Sequence, residues 1–284
     1  MQLVITGANG RLAQILRAAW ADGSTPGFTP IWSSRLGDGA DHTAWDVLSG
    51  PAPILAKGCV FLHLAGVLRG DRQTLSANAE MARNVCSAAK SADARHIFVA
   101  STAAVYGRAT VDHAEDSDPV PMSDYGRAKY DMEREVRRWA RDAGPDAPGV
   151  TCLRIGNVLG ADALFGTPNL GRSIQLDPVP GQPGGPIRSY IGPRSLAEIL
   201  TGLVLRVMTG AKLPLVLNVA APHAVAMADL LMAADWPFQF GPRNLNVIPK
   251  VSLSTKRLAT LVPLQHTTAA EMVGQWRSLL AVAG

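Results

Sequence analysis

The chain has 284 residues and a mass of 30.0 kDa, room for one large domain or two closely joined ones at about 100–200 residues per domain. Its 47% hydrophobic and 18% charged content can build a sizeable core, which excludes a disordered or collagen-like chain. The formal net charge of +4 is too small to argue for a nucleic-acid partner.

From the N-terminus, residues 2–6 read as a buried strand, and 11–22 as an amphipathic helix. Residues 28–33 predict a second strand and 59–64 a third. A helix over about 74–92 precedes a fourth strand at 96–100. A helix over about 124–143 precedes a fifth at 150–155. Strands alternating with helices predict βαβ units and a parallel sheet with helices on both faces. Right-handed crossovers then give an α/β doubly wound sheet. Residues 161–188 are rich in glycine and proline and read as irregular. A helix over 195–208 and a strand over 214–219 resume the pattern, and a small mixed tail follows.

Thr6-Gly7-Ala8-Asn9-Gly10-Arg11-Leu12-Ala13 joins the first strand to the first helix. Gly7 permits a tight turn, and Gly10 lets backbone approach a pyrophosphate held on the helix N-terminus. The bland alternative is an ordinary strand-to-helix turn. Tyr125 and Lys129 are four residues apart, hence neighbours on one helical face. An ammonium beside a phenol favours the phenolate and brings its pKa down toward a range useful for proton transfer. Only six of the basic residues are lysines and only four residues are tyrosines, so a chance Tyr-x-x-x-Lys arises roughly 0.08 times in such a chain. Ser101 and Thr102 follow the fourth strand, at the edge where doubly wound sheets bind ligands. Taken alone, such a pair is more often a cap or turn.

Together these motifs resemble the short-chain dehydrogenase/reductase superfamily, in its extended or epimerase/dehydratase branch. Asp46, His63-Leu64-Ala65-Gly66, Asn78, Val105-Tyr106-Gly107, Arg154 with Asn157, and Arg188-Ser189-Tyr190-Ile191 continue the resemblance along most of the chain. It implies a Rossmann sheet from residues 1–155 plus 192–220. A small, sequence-interrupted substrate-binding subdomain, 156–191 plus 221–284, would cover it. It also implies that Tyr125 is the acid/base, that Lys129 tunes it and holds the nicotinamide ribose, and that Thr102 orients the substrate. Gly7, Asn9, Gly10, Arg11 and Leu12 would cradle the dinucleotide. Asp46 and Val47 would lie by the adenine, Leu64, Ala65 and Gly66 along the cofactor path, and Asn157 and Arg188 toward the substrate. Gly192-Pro193-Arg194-Ser195 departs from the branch's usual histidine and acids. Ala103 and Ala104 supply no second carboxylate beside Thr102, which argues against a dehydratase.

Cofactor choice turns on the end of the second strand, where an acid selects NAD. Ser33, Ser34 and Arg35 stand there instead and favour NADP, whose phosphate suits paired arginine donors. The expected function is an NAD(P)-dependent oxidoreductase moving hydride to or from a hydroxyl or carbonyl carbon of a small sugar-like or polar substrate. A sugar or nucleotide-sugar epimerase retaining NAD and a non-catalytic dinucleotide-binding regulator are the rivals. Residues 156–191 and 221–284 form a short cover, which favours a substrate smaller than a full nucleotide-sugar. Arg172, Arg188 and Arg194 allow an acidic or phosphorylated one.

Cys59, Cys86 and Cys152 form no CxxC pair and read as buried free thiols in a cytoplasmic protein. No apolar run reaches the roughly 18–20 residues of a membrane span. The histidines show no metal-ligand spacing. Along 124–143, Arg127, Arg134, Arg137, Arg138 and Arg141 interleave with Asp131, Glu133, Glu135 and Asp142, which reads as a solvated, salt-bridged face. Tyr130, Met132, Val136 and Trp139 on that helix are either core or the interface of a homodimer, since the family often pairs there.

Overall fold

A computed structural model describes residues 1–21, 27–39, 41–108, 111–166 and 174–283. Arg172 and the end of the expected first helix lie outside these. The strands that build the central sheet are β1 (Gln2–Thr6), β2 (Thr29–Ser34), β3 (His42–Ala44), β4 (Val60–His63), β5 (His96–Thr102) and β6 (Gly149–Ile155), joined later by β11 (Val216–Val219). They are all parallel, in the order β3-β2-β1-β4-β5-β6-β11. The expected doubly wound sheet is therefore present. The third strand read from the sequence is the fourth in the fold. His42–Ala44 is too short to show a period, and it pairs only at the sheet's edge.

Alternation divides the side chains between two cores. Leu3, Ile5, Leu62, Phe98 and Leu153 face α1 (Arg11–Ala21) and α4 (Pro193–Met208). Val4, Phe61, Ile97, Val99 and Cys152 face α2 (Arg72–Ser91) and α3 (Asp124–Asp142). Both helix pairs present apolar stripes, and Asp71 and Ser123 cap α2 and α3 by accepting from the Thr74 and Gly126 amides. Met132 and Val136 are fully buried inside the second core, and Trp139 packs against it. Cys59, Cys86 and Cys152 are free and buried.

Short elements occupy the carboxyl end of the sheet: β7 (Asn157–Val158), β8 (Ile174–Leu176), β9 (Ile187–Arg188), β10 (Tyr190–Ile191), β12 (Val225–Ala226), α5 (Met227–Ala233), β13 (Phe238–Phe240) and β14 (Lys250–Val251). β9 lies between β12 and β14, β7 pairs with β10, and β8 pairs with β13. Their core gathers Leu159, Phe165, Tyr190, Leu230, Leu231 and Met272, with Trp236 and Trp276 packed on it. The last helices are α6 (Lys256–Ala259) and α7 (Ala269–Ala283). α7 lies against α5 on one side and against α1 and α4 on the other. Leu258, Val262 and Leu279 thus share the core of α1 and α4, and Gln275 hydrogen-bonds Ser195 in α4's first turn.

Leu279→Ala should cost about 2–5 kcal/mol, as buried leucine truncations do. Leu245→Ala, at an exposed leucine, should stay within about 0.5 kcal/mol. Urea unfolding midpoints of the two variants check this.

Candidate active site

β1 ends in the glycine turn. Gly7 has φ +78°, and a Cβ there would sit 2.6 Å from the Ala65 amide nitrogen. The turn and the loop after β4 therefore touch backbone to backbone, which only glycine permits. The Gly10 amide donates to the Gly7 carbonyl at 2.8 Å and the Ala8 amide to the Ser33 carbonyl at 2.9 Å. Ala13 is buried in the first core, Leu12 packs against that core, and Arg11 and Asn9 are exposed. The first-turn amides of α1 are left facing the cradle, an arrangement that fits a pyrophosphate.

Beside it, the end of β2 holds a group the sequence reading missed. Asp38 accepts from Ser34 Oγ at 2.7 Å and from Asn9 Nδ2 at 3.1 Å. Those two hydrogen bonds, Ser34's first, hold its carboxyl below the usual range. Ser33 is buried and its hydroxyl has no partner, so it is not a surface reader. Arg35 lies near enough to Asp46 to lower that carboxyl's pKa, after the larger effects of Ser49 and the Leu48 amide. Asp46 thereby caps a turn, accepting from Ser49 Oγ at 2.8 Å and from the Leu48 amide at 3.1 Å. Val47 is buried, with its carbonyl held by Asn84 at 2.9 Å. Asn78 pins the loop of Leu64, Ala65 and Gly66 to α2 through both Val67 backbone groups, at 3.0 and 3.1 Å.

Thr102 closes β5 and caps the turn Ala103–Val105, its hydroxyl accepting from the Ala104 amide at 3.2 Å. The capping role and a half-buried place at the strand end thus coexist at one residue. Gly126 presses against the Ala104 carbonyl with no room for a Cβ. That contact seats the first turn of α3, and Tyr125 with it, on the turn after Thr102. Lys129 follows one helical turn on and is buried.

The expected tuning of Tyr125 by Lys129 is absent from this state. Burial pushes the Tyr125 phenol up to about 12, and burial brings the Lys129 ammonium down to about 8. Lys129 Nζ points to Met132 Sδ at 3.4 Å rather than pairing with the phenol; desolvation alone shifts Tyr125 and outweighs the pull of Cys152 and Glu133 at Lys129.

The face read as solvated needs one correction. Arg127, Arg134 and Arg138 do pair with Asp124, Asp131 and Glu135 three residues before each. Glu133, however, is turned inward and wholly buried against Arg154 of β6, at 2.7 Å. A second bond of 3.0 Å makes the pair bidentate, and Ser101 donates to the same carboxylate at 2.5 Å. A period of four through 125, 129 and 133 was the available signal.

Asn157 and Arg188, expected to face a substrate, are engaged within the chain. The Asn157 side chain hydrogen-bonds Tyr190, whose hydroxyl donates to Asp162 at 2.8 Å. The Arg188 guanidinium donates to the Ile187 and Ile248 carbonyls, each at 2.8 Å. Among the described residues, no helix is long and apolar enough to cross a membrane, and no cluster of three or more acid, histidine or cysteine side chains could hold a metal.

Sheet order, the glycine turn and the flanking helices define a Rossmann-like α/β fold. Residues 61–174 match the model of the NAD dependent epimerase/dehydratase family. Over that stretch the chain resembles the family, as its motifs imply. The fold superposes on UDP-glucose-4-epimerase from Stenotrophomonas maltophila, with bound NAD and formylated UDP-arabinopyranose, at a TM-score of 0.79 and 18% identity. That match covers 100% of this chain and 99% of the other. MoeE5 in complex with UDP-glucose and NAD gives 0.76 at 19% identity, over 99% of this chain and 100% of that one. A short-chain dehydrogenase/reductase superfamily protein from Agrobacterium tumefaciens with bound NAD gives 0.75 at 19%, over 99% and 98%. At these identities the likeness is one of fold. Comparison with curated protein sequences finds no match.

Lys129 is charged more readily in the unfolded chain, near 10.5, than in the fold, near 8. Between those values the unfolded state binds the extra proton, so this lysine makes stability rise with pH there. Lys129→Met should therefore be more stable at pH 7 by on the order of 3 kcal/mol, the gap closing from about pH 8 to pH 10.5. Denaturant unfolding across that range checks both the sign and the window.

Proposed function

We propose that the chain moves hydride between the nicotinamide of a bound dinucleotide and a hydroxyl- or carbonyl-bearing carbon of a sugar-like substrate, with Tyr125 relaying the proton. The observation that carries this is the Gly126–Ala104 contact, which seats the Tyr125 turn against Thr102 with Lys129 one turn behind. When bound, the dinucleotide supplies the hydride acceptor or donor. Gly7, Gly10 and the first turn of α1 would hold its pyrophosphate, Asp46 and Val47 its adenine side, and Leu64 to Gly66 its path toward Lys129. Thr102 keeps its hydroxyl at the strand end, able to orient a substrate oxygen. A phenol near 12 holds its proton at neutral pH, ready to donate to a carbonyl oxygen. To act in the other direction it needs positive charge beside it, which Lys129 is placed on the helix to provide.

For the cofactor, Asp38 supports NAD over the NADP suggested by Ser33, Ser34 and Arg35. Ser34 is committed to that carboxylate, and a carboxylate at the end of β2 binds a ribose hydroxyl and repels a phosphate. Titration of the purified protein should give at least tenfold tighter binding of NAD than of NADP. Asp38→Ala should shrink that ratio. Equal affinities in the parent protein would reject the assignment.

The second reading is a nucleotide-sugar epimerase that keeps its NAD and returns the hydride. The full-length likeness to MoeE5 with UDP-glucose and to UDP-sugar epimerases favours it as strongly. It also removes the argument from length, since a chain of this span is matched to the whole of a protein that holds UDP-glucose. A substrate placed there would lie against 156–191 and the segment after 221. A homodimer through α3 would use the helix's charged outer face, because Met132 and Val136 are buried.

Dinucleotide released from purified protein, together with NADH-linked turnover of UDP-glucose and simpler sugars, separates the readings. Tight NAD without net turnover is the epimerase; steady cofactor consumption is the oxidoreductase. In either case Tyr125→Phe should slow turnover by about 10²–10⁴ with NAD binding retained. Undiminished turnover would remove Tyr125 from the role.

A further inference from the structure

Thr6, His63, Val99 and Cys152 are register partners across β1, β4, β5 and β6. Their side chains therefore share the face beneath α2 and α3. His63 is buried, with Nδ1 2.7 Å from Thr6 Oγ1. The same Thr6 oxygen accepts from the Ala65 amide at 3.4 Å. His63 Nε2 is buried with no hydrogen-bond partner. An orphaned buried group of this kind costs about 1–3 kcal/mol and calls for a reason.

Lys129 lies over the same row. Its charge acts on His63, and the Cys152 thiol at the row's far end and Glu133 one turn along act on it in turn. The ammonium has three donors, and the bond it makes is to the thioether of Met132, a weak acceptor. One side of the row holds a ring nitrogen without a partner, and the other holds donors without a good acceptor. A Cβ on Gly66, three residues after His63, would lie 3.9 Å from Lys129 Nζ.

We propose that His63 is a positioning residue for Lys129. Thr6 fixes the neutral imidazole with its proton on Nδ1, and the bare Nε2 lone pair draws the ammonium toward the Leu64–Gly66 loop, where the nicotinamide ribose would lie. This rests on the reading of Lys129 as the residue that holds that ribose. The tautomer follows from electrostatics. An Nε2–H aimed at a cation is repelled, whereas an Nδ1–H can be given to a Thr6 lone pair. Burial, helped by Lys129, holds the imidazole down at about 3, so His63 acts as a fixed dipole across the working pH range and never as a second charge.

Nitrogen-15 NMR of the wild-type imidazole at pH 7 is the first test, since it needs no variant. Protonated Nδ1 with bare Nε2 supports the role, and the Nε2–H tautomer overturns it. The second test is calorimetric titration with NAD from about pH 6 to about pH 10, using His63→Leu and His63→Gln. His63→Leu should bind NAD about tenfold more weakly, the effect of one charged hydrogen bond. The pH above which binding fades should also move down. His63→Gln places an amide oxygen near the lost Nε2 and should recover most of both. A folded His63→Leu protein with unchanged affinity and unchanged pH midpoint overturns the role. A wild-type chain that binds no NAD overturns the proposed function and this role with it. NAD binding together with an Nε2–H tautomer overturns this role alone.

Discussion

Inside the protein, under the carboxyl ends of β5 and β6, the Glu133 carboxylate meets the Arg154 guanidinium, at 0% and 1% side-chain exposure. Neither charge could stay there alone, since removing one partner of such a pair typically costs about 3–5 kcal/mol. The pair is instead saturated. Glu133 takes Ser101, while Arg154 also reaches the Tyr106 hydroxyl at 2.7 Å and lies 4.7 Å from that ring's centre. Tyr106 passes the network to Asn218 at 2.9 Å, and Asn218 holds the His113 and Ser254 carbonyls. Glu115 joins it by accepting from the Asn218 amide at 3.1 Å and facing Arg257 at 3.6 Å.

What depends on that pair is the aim of α3. Residues 125, 129 and 133 fall on one face of the helix, so fixing Glu133 to two strands fixes how far Tyr125 and Lys129 stand above the sheet. Gly126 sets the other coordinate by its contact with Ala104. Between them, rotation and height of the helix are both determined. The Arg188 and Asn157 side chains, by contrast, serve to tie β9, β10 and their neighbours together. Through these bonds they help shape a wall beside the carboxyl end of the sheet.

The glycine turn, the Tyr125–Lys129 spacing and the alternation of strands and helices were legible because each is local. A few adjacent residues state the conformation, and no distant partner is needed to interpret them. Glu133 was read as solvated for the opposite reason: its neighbours on the chain are surface charges, and Arg154, 21 residues on, becomes its partner only through the fold. Asp38 was missed because it returns from a loop to Ser34 and Asn9, a geometry that spacing does not encode. The phenol's high pKa was missed because burial of α3's first turn is a property of the packed molecule. β3 is three residues long and carries no period of its own.

The position of α7 has a consequence in time. Leu279 lies in one core with Leu16 of α1 and Leu200 of α4, while Trp276 abuts Gly160 and through it Ile15. Domains are made from the N-terminus onward, so α1 emerges early and keeps an uncovered apolar strip until the residues around Leu279 follow. For that interval the nascent chain has its glycine turn formed and an unshielded surface behind it.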